Sequence, residues 1–307
     1  MKINAVYKIS DQPLIMASTG IANWPKLKNP GSGKAYLLVH PMWNFSWTSL
    51  RLYYKLAKQL KRNGIDMILL HNSEEEYRFG KTFGFRSYLI NQNIHACEHN
   101  FIIQDELDKK YDASYIAAAK KYKRIHLAEE VDKLFVITYF WPDVRDEHGF
   151  WDLHGFEPRI RHASFNKERI SAAEISTILN QSHCGLALSK KEGAMWASME
   201  YLLTGLPIVT TPSIGGRDFF FDDRYVLEVK DKPAAVREGV EEIKNRNLDP
   251  NFVRTETLKK IHVYREKYYE LCAHLAQEEA KVGDFPSYEE FSEHVWGGEG
   301  IYKLKMM

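Results

Sequence analysis

Short apolar runs of strand length alternate along this chain with segments of helical periodicity. The first run covers 35–40, a helical pattern follows over 48–63 and ends at Gly64, and a second apolar run covers 65–70. A strand that is apolar throughout needs cover on both faces, which is the property of a parallel sheet. Because a strand, a helix and a second parallel strand form a right-handed crossover, this pattern predicts an α/β fold.

The same alternation resumes near residue 111 and continues almost to the C-terminus. We expect further strands at 87–90, 113–119, 133–139, 184–188 and 206–210. We expect helices at 121–132, 168–180, 195–204, 233–246 and 254–280, whereas 1–33 is strand-poor and 141–162 is typical of a loop. Two tandem series of this kind predict two facing, doubly wound Rossmann-like domains.

A chain of 307 residues is long enough for two such domains, each with its own core. We place an N-terminal Rossmann-like domain at 1–108 and a second one at 109–250. The remaining segment, 251–307, is predicted to form a helical tail that packs back toward the N-terminal domain.

Charge and cysteine content narrow the function classes. The formal net charge of +1 comes from 42 basic and 41 acidic residues, so no global field favours nucleic acid or an anionic membrane. The three cysteines fit neither a disulfide framework nor a zinc pattern and suit a reducing cytosol. The first residues lack a signal-peptide pattern, and no apolar stretch reaches the ~20 residues that span a bilayer. We therefore expect a cytoplasmic protein without a transmembrane segment.

The stretch from Glu192 to Gly216 carries the clearest functional signal. A buried strand ends at Leu188, a turn containing Glu192 and Gly193 follows, and a helix then begins whose residue Glu200 lies off the apolar stripe. Open α/β sheets bind ligands at the carboxyl ends of their strands, where this turn lies. The N–H groups of a helix N-terminus suit a diphosphate, and a glycine allows close approach of the backbone.

The two glutamates have a spacing that suits a nucleotide sugar. If the span between Glu192 and Glu200 is helical, they are at most ~12 Å apart, which is the scale of a sugar-diphosphate-ribose unit. One carboxylate could then accept from sugar hydroxyls while the other holds the ribose. Gly205 ends the helix, a strand follows at once, and Gly215-Gly216 supplies a second loop expected to border the same crevice.

Taken together, Glu192-Gly193, Glu200, the run Gly205-Leu206-Pro207-Ile208-Val209 and Gly215-Gly216 resemble a known family. The pattern is similar to the donor-binding domain of retaining GT-B glycosyltransferases of the group 1 superfamily (glycogen-synthase-like, family 4), in a bacterial or phage branch. It covers 185–216 well and the rest of 111–245 loosely. The resemblance implies that Glu192 contacts the donor sugar and Glu200 the ribose. It also implies that the turn meets the diphosphate through Gly193, Ala194, Met195 and Trp196.

The family also carries a basic pair after the first strand of this domain, an arginine followed five residues later by a lysine. Lys123 matches the lysine, whereas Ala118 stands at the arginine position. Neighbouring basic residues could substitute, and we assign Arg124 to donor binding with Lys120 and Lys121 as further possibilities. A solvated helix start is the alternative interpretation of this cluster.

Polar residues also follow two strands of the first series. His40 ends the first strand, where it could orient the acceptor or contact the donor phosphate, or be structural. Asn91, Gln92 and Asn93 follow the strand at 87–90, and amides suit sugar hydroxyls, although a simple turn is an alternative. We assign Asn91 and Asn93 to the acceptor side.

Three other groups are set aside. The loop residues Asp143, Asp146, His148, Asp152 and His154 are of metal-binding types, but their spacing fits no standard site and favours a solvated loop. Asp222-Asp223 resembles a motif of metal-dependent enzymes of another fold. Arg217-Asp218 could be a local ion pair or an acceptor contact.

The sequence therefore predicts transfer of a sugar from a UDP-, GDP-, dTDP- or ADP-sugar to an acceptor hydroxyl. The catalytic set is Glu192, Lys123 and His40, with no metal and no cofactor beyond the nucleotide-sugar co-substrate. The resemblance implies retention of anomeric configuration. A saccharide, a lipid carrier, a protein and a modified nucleic acid all remain open as acceptors.

Two alternatives remain. A nucleotide-sugar 2-epimerase has the same architecture, and a non-catalytic nucleotide-sugar-binding protein is favoured by Ala118. A dinucleotide oxidoreductase is disfavoured because no Gly-x-Gly-x-x-Gly follows a strand.

Overall fold

The computed structural model of the chain describes residues 6–18, 27–31, 33–41, 45–139, 146–278, 285–298 and 300–304. Their contacts divide the chain into two units. The first unit comprises the described residues of 1–97, 215–219 and 260–307, and the second comprises those of 98–214 and 220–259. The predicted domain boundaries at 108 and 250 stay predictions.

The first unit is built on a five-stranded sheet whose strands follow one another in chain order. The strands are β1 (Val6–Asp11), β2 (Leu14–Ser18), β3 (Ala35–Val39), β4 (Ile65–His71) and β5 (Ser87–Leu89). β1 and β2 pair antiparallel, while β2 to β5 are parallel neighbours. Every residue of β3 is buried, as its apolar run predicts.

The hairpin of β1 and β2 contradicts the prediction that 1–33 is strand-poor. Polar Lys8 and Ser10 alternate with the buried residues of β1, as expected for an edge strand with one solvated side. The apolar run of β2 is short, and it is buried because it pairs with β3.

Two helices connect the parallel strands of the first unit. α1 (Trp47–Arg62) joins β3 to β4 and completes the predicted crossover. It buries Tyr53, Leu56 and Leu60 and ends before Gly64, which has a φ of 75°. α2 (Glu74–Thr82), which the sequence analysis did not predict, precedes β5.

The second unit is built on a six-stranded, all-parallel sheet in the order β13-β11-β9-β6-β7-β8. The strands are β6 (Tyr111–Ala118), β7 (Leu134–Tyr139), β8 (Ser164–Phe165), β9 (Ser182–Ala187), β11 (Ile208–Thr210) and β13 (Val226–Glu228). Two further two-residue strands are β10 (Lys191–Glu192), in this unit, and β12 (Ile214–Gly215), whose second residue belongs to the first unit. The helices are α3 (Leu153–Phe156), α4 (Ala172–Asn180), α5 (Trp196–Leu203) and α6 (Pro233–Arg246).

The prediction of a helix over 121–132 is wrong. The segment forms two short 3₁₀ turns, 121–123 and 125–128, joined at Arg124. Arg124 has a φ of 51°, in the left-handed region that a continuous right-handed helix excludes.

Two further expectations need adjustment. The predicted helix over 168–180 begins only at α4, where the Ser171 and Glu174 side chains form a reciprocal N-terminal cap. The predicted loop over 141–162 contains α3 and a 3₁₀ turn over 158–160, while its first residues, 141–145, lie outside the described residues.

The C-terminal part is helical, as predicted. α7 (Pro250–Gln277) begins in the second unit, and its residues from 260 onward belong to the first unit together with α8 (Tyr288–Trp296). Within the first unit, buried Arg265 donates to the carbonyls of Ile94 at 2.9 Å and Ala96 at 3.0 Å and lies 5.0 Å from the Trp296 ring. No helix in the described part of the chain is both long and apolar enough to cross a membrane.

Candidate functional site

The strand order of the second unit defines where a ligand can bind. From central β6 the chain moves outward through β7 and β8, then returns to the other side of β6 as β9 and continues to β11 and β13. The connections after β6 and β9 therefore leave the sheet on opposite sides, and a crevice opens outside the carboxyl ends of these two strands. Lys123 follows β6, and Glu192 follows β9.

Lys123 and Glu192, predicted from separate motifs, contact each other in the second unit. The Lys123 Nζ donates to Glu192 Oε1, and the two residues are only 4% and 7% exposed. The Tyr115 hydroxyl fixes the turn beneath by donating to the Lys123 carbonyl at 2.5 Å. Because desolvation makes a buried ion pair costly, buried pairs of this kind are often found at functional sites. This pair lies beyond the carboxyl ends of two parallel strands, where a binding site is expected.

The turn after Glu192 leads directly into α5. Gly193, Ala194 and Met195 are buried, and Met195 occupies the N-cap position with a φ of 47°. Its thioether cannot cap the helix as a serine or aspartate would, and the Met195 side chain makes no cap hydrogen bond. The N-terminus of α5, which is the positive end of its dipole, therefore lies four residues after Glu192 in the chain.

Glu200 lies in the interior of α5 and is half-buried. Burial raises the pKa of its carboxyl to about 7, because desolvation disfavours the charged form. The premise that Glu192 and Glu200 share one helical span is wrong, since Glu192 belongs to β10 and α5 begins only at Trp196.

Two tyrosines that the sequence analysis did not single out accompany these glutamates. Tyr139, at the end of β7, is 49% exposed as a whole residue, and partial desolvation of its hydroxyl, with the charges of Tyr122, Glu192 and Glu200, raises its pKa. Burial, with the charge of Glu192, raises the pKa of Tyr122 to about 12, and the Tyr122 ring lies 5.5 Å from the Lys123 Nζ. An aromatic residue at the carboxyl end of a predicted strand was the available signal for Tyr139.

Arg124 holds three connections of the second unit together. Its Nε donates to the Leu188 carbonyl at 2.6 Å, its Nη2 to the Thr211 hydroxyl at 2.8 Å, and its Nη1 pairs with Asp231 at 2.7 Å. These partners follow β9, β11 and β13. Arg124 thus shapes the strand-end loops around Lys123 and Glu192, and its contact with a donor diphosphate stays a prediction.

Gly215 and Gly216 were predicted to border the same crevice, but residues 215–219 group with the first unit. There the Asn91 Nδ2 donates to the Gly216 carbonyl at 2.8 Å and to the Asn72 carbonyl at 2.9 Å. A Cβ on Gly216 would lie 2.3 Å from the Asn72 carbonyl oxygen, so only glycine fits without a shift.

Asn91 is buried and fully engaged in the first unit. Besides its two donated bonds, its Oδ1 accepts from the Asn93 N–H at 2.8 Å. The Asn72 side chain makes two further hydrogen bonds: it donates to the Pro41 carbonyl at 3.1 Å and accepts from the Gln92 N–H at 2.8 Å. These bonds join the carboxyl ends of β3, β4 and β5. Acceptor contacts by Asn91 and Asn93 stay predictions.

His40 lies at the same carboxyl end of the first sheet, directly after β3. It is buried, and its ring lies 5.4 Å from that of His95 in a T-shaped arrangement. Burial, with the proximity of His71, lowers the pKa of His40 to about 3, so its imidazole is neutral at physiological pH. The catalytic role of His40 stays a prediction.

The groups set aside earlier have local partners. Asp146 Oδ1 accepts from the N–H groups of His148 and Phe150, and Asp152 caps α3. Arg217 pairs with Asp218 at 2.5 Å. Asp143 lies outside the described residues, and no cluster of three or more histidine, cysteine, aspartate or glutamate residues in the described ranges could hold a metal ion.

Comparisons with known proteins give matches at the level of structure. No family profile matches the chain, and no curated protein does. The chain is similar to TarM of S. aureus, with a TM-score of 0.59 and 16% identity over 86% of this chain and 55% of TarM. It is also similar to Alr3699/HepE of Anabaena in complex with UDP, with a TM-score of 0.60 and 11% identity over 78% of this chain and 72% of HepE.

A third similar structure is the sucrose-phosphate synthase of Thermosynechococcus elongatus, with a TM-score of 0.57 and 12% identity over 80% of this chain and 68% of the other. These structural neighbours are GT-B glycosyltransferases of the group 1 type. The chain spans about half the length of TarM, 55%. The predicted fold is confirmed: the chain has two Rossmann-like sheets, parallel except for the β1–β2 pair, with C-terminal helices, as in GT-B glycosyltransferases.

Proposed function

We propose that this chain is a glycosyltransferase that moves a sugar from a nucleotide-diphosphate donor to an acceptor hydroxyl, with retention of anomeric configuration. The observation that supports this most strongly is the buried Lys123–Glu192 pair just ahead of the N-terminus of α5. It lies at the switch point of the parallel sheet. A cation, a carboxylate and a helix dipole at that point suit a sugar diphosphate.

In this proposal the donor diphosphate lies at the α5 N-terminus and takes up the Lys123 ammonium as its counter-ion. Glu192, released from that ion pair, accepts from hydroxyls of the donor sugar. Glu200 accepts from the ribose hydroxyls. Tyr122 interacts with Glu192 and Tyr139 with both glutamates, and in this proposal the two rings supply aromatic surface for the sugar. Arg124 keeps the surrounding loops in place through its three bonds.

The reaction breaks the bond between the anomeric carbon and the diphosphate oxygen, and the nucleoside diphosphate leaves with the bonding electrons. The acceptor oxygen bonds to the anomeric carbon on the same face, and its proton passes to the departing diphosphate oxygen. Lys123 and the α5 dipole stabilise the negative charge that develops on the leaving group. Because the protein supplies this positive charge, the proposed reaction uses no metal.

The proposal extends to the donor and the cellular setting. HepE was solved with UDP, so uridine diphosphate sugars are the first donors to test, followed by GDP-, dTDP- and ADP-sugars. The three cysteines are free and buried, which suits the cytoplasmic location proposed for the chain. His40, Asn91 and Asn93 are proposed for the acceptor side, and the acceptor class is left open.

A thermal-shift screen of nucleotide sugars on the wild type and on Glu200→Ala tests the proposal. We expect one class of nucleotide sugar to raise the melting temperature of the wild type, because a ligand that binds only the folded state stabilises it. Glu200→Ala should lose that increase. No stabilisation by any UDP-, GDP-, dTDP- or ADP-sugar contradicts the proposal.

A non-catalytic sugar-nucleotide-binding protein is the second candidate, favoured by Ala118. Ala118 stands at the position where the family carries an arginine. It ends β6 and is 2% exposed. Binding of a nucleotide sugar without release of its diphosphate, over an acceptor panel, would select this function. Conversion of the donor to an epimer would instead select the epimerase.

A further inference from the structure

The outward face of α1 combines aromatic and basic side chains. Seven of its nine exposed residues recur at spacings of three or four, which places these seven on one side of a helix of 3.6 residues per turn. These residues, the α1 outer face, are Trp47, Arg51, Tyr54, Lys55, Lys58, Lys61 and Arg62. The opposite side of α1 is buried against the core of the first unit.

The aromatic residues of this face are exposed yet held in place. Trp47 is 70% exposed, and its ring makes T-shaped contacts with Phe79 at 5.2 Å and Phe83 at 4.8 Å. Tyr54 is 46% exposed and lies 4.6 Å from the Phe85 ring. The Tyr54 hydroxyl also donates to the Phe83 carbonyl. Packing on these rings fixes one side of Trp47 and of Tyr54 and leaves the rest of each open to solvent, and exposed aromatic side chains held in fixed positions are typical of an interaction surface.

The charge of the α1 outer face has a single sign. α1 contains no aspartate or glutamate, and its five basic residues, the first at Arg51 and the last at Arg62, are spread over about 17 Å of helix. Within the described ranges no ion pair involves any of the five. The neighbouring α2 exposes Glu74 and Glu75, of which Glu74 pairs with Arg78 at 2.9 Å. Since the whole chain carries a formal net charge of only +1, this positive field is local.

We propose that the α1 outer face docks on the surface of an anionic lipid bilayer. Tryptophan and tyrosine favour the headgroup level of a membrane, and lysine and arginine are attracted to anionic headgroups. Here both kinds of side chain share one face, so a helix lying flat on the bilayer would engage them together. Single-stranded nucleic acid usually binds in a basic groove, whereas this face is the outside of a helix. The inference does not depend on the proposed donor site, which lies in the other unit.

Sedimentation of the full chain with lipid vesicles tests this proposal. We expect the chain to bind vesicles of phosphatidylcholine with phosphatidylglycerol and to bind pure phosphatidylcholine weakly. Each cation near the surface contributes about a fivefold factor in partitioning, so Lys55→Gln with Lys58→Gln should weaken binding about 30-fold. The matched control is Lys167→Gln with Arg169→Gln, which removes the same charge from exposed positions of the second unit and should keep wild-type binding.

A second variant tests the aromatic part. Trp47→Ser should weaken binding several-fold at a salt concentration that screens the charges, while the melting temperature stays within a few degrees of the wild type. Inorganic phosphate at matched ionic strength should not displace the chain from vesicles. Absence of binding to anionic vesicles, equal loss in the control, or specific displacement by phosphate overturns the proposal. Binding of polyuridylate without binding of vesicles overturns it in favour of nucleic acid.

Discussion

At the scale of single residues, the burial of the Lys123–Glu192 pair determines which substitutions can separate ligand binding from stability in the second unit. The contact is buried, so removing either partner leaves the other as an unpaired charge in a poorly solvated place. Truncation of one partner therefore lowers stability and ligand binding together. Replacing both partners with apolar side chains of similar size separates the two effects.

We expect Lys123→Met alone to lower the free energy of unfolding by about 3–5 kcal/mol, because Glu192 is then left buried and unpaired. The double variant Lys123→Met with Glu192→Leu should regain most of that stability and still lack nucleotide-sugar binding. Urea unfolding gives the stabilities, and calorimetric titration gives the binding. A double variant that binds the nucleotide sugar as the wild type does would remove this pair from the donor site.

Glu200 gives a pH-dependent prediction. Its pKa is raised from 4.5 in the unfolded chain to about 7 in the folded protein, so between these values the folded state holds the extra proton. The contribution of Glu200 to stability is therefore fully present below 4.5 and is lost as the pH rises through about 7.

Glu200→Gln should remove this dependence. Relative to the wild type, we expect the variant to gain about 2 kcal/mol above pH 7 and to differ little below pH 4.5, allowing for partial exposure of the carboxyl. Urea unfolding of both proteins across this range is the measurement. Equal stability differences at both ends would show that the carboxyl does not titrate as described.

At the scale of elements, a strand or helix was predictable where one local pattern decided it. The apolar runs of β3, β4, β6 and β9 and the stripe of α1 are of this kind. α2 was missed although Ser73 and the three acidic residues after it form a local helix-start signal, with the Ser73 hydroxyl accepting from the Glu76 N–H. Glu76 in α2 is buried and accepts from the N–H groups of Phe45 and Asn72 at 2.9 and 3.1 Å. The bond from Phe45, 31 residues earlier in the chain, could not be read from local sequence.

The candidate site was predictable to a similar degree. The motif containing Glu192 and Glu200 identified the carboxyl ends of the strands in the second sheet as the place of the site. The resemblance added Lys123, which contacts Glu192. The left-handed conformation of Arg124 and its bonds to three separate connections depend on tertiary contacts, which replaced the predicted helix with two turns. Asn72 was not singled out because its role consists of bonds to backbone groups distant in sequence.

The connection containing Gly216 gives a prediction at this scale. Gly216→Ala places a Cβ against the Asn72 backbone, and since backbone cannot give way easily, we expect a loss of about 1–3 kcal/mol in unfolding free energy. Gly31→Ala is the control, because its nearest neighbour is the Asn29 side chain at 3.9 Å. Chemical denaturation compares the two. Equal, negligible losses would contradict the close approach at Gly216.

At the scale of the whole molecule, the first unit contains buried histidines that make its folding sensitive to acid. Burial is the main cause that lowers the pKa of His40 and His71 to about 3 and that of His95 well below its ordinary value. The unfolded chain takes up these protons near pH 6.5, whereas the folded unit does not. Stability is therefore present above about pH 6.5 and is lost as the pH falls below it.

Each of these histidines should contribute a slope of about 1.4 kcal/mol per pH unit below pH 6.5. His40→Asn should reduce the slope of unfolding free energy against pH by one proton. His262→Asn, at an exposed position of α7, serves as the control and should leave the slope as in the wild type. Urea unfolding at a series of pH values gives the slopes. An unchanged slope in His40→Asn would contradict a neutral, buried His40.

The most direct test of the central claim follows the sugar itself. We would incubate the wild type and the Lys123→Met, Glu192→Leu double variant with the stabilising nucleotide sugar, and follow the anomeric proton and the released diphosphate by NMR. The account predicts that the wild type releases nucleoside diphosphate and gives a product, with acceptor or water, that initially keeps the donor's anomeric configuration, whereas the double variant does not. Inverted product, an epimerised donor, or tight binding without release of diphosphate by the wild type would contradict it.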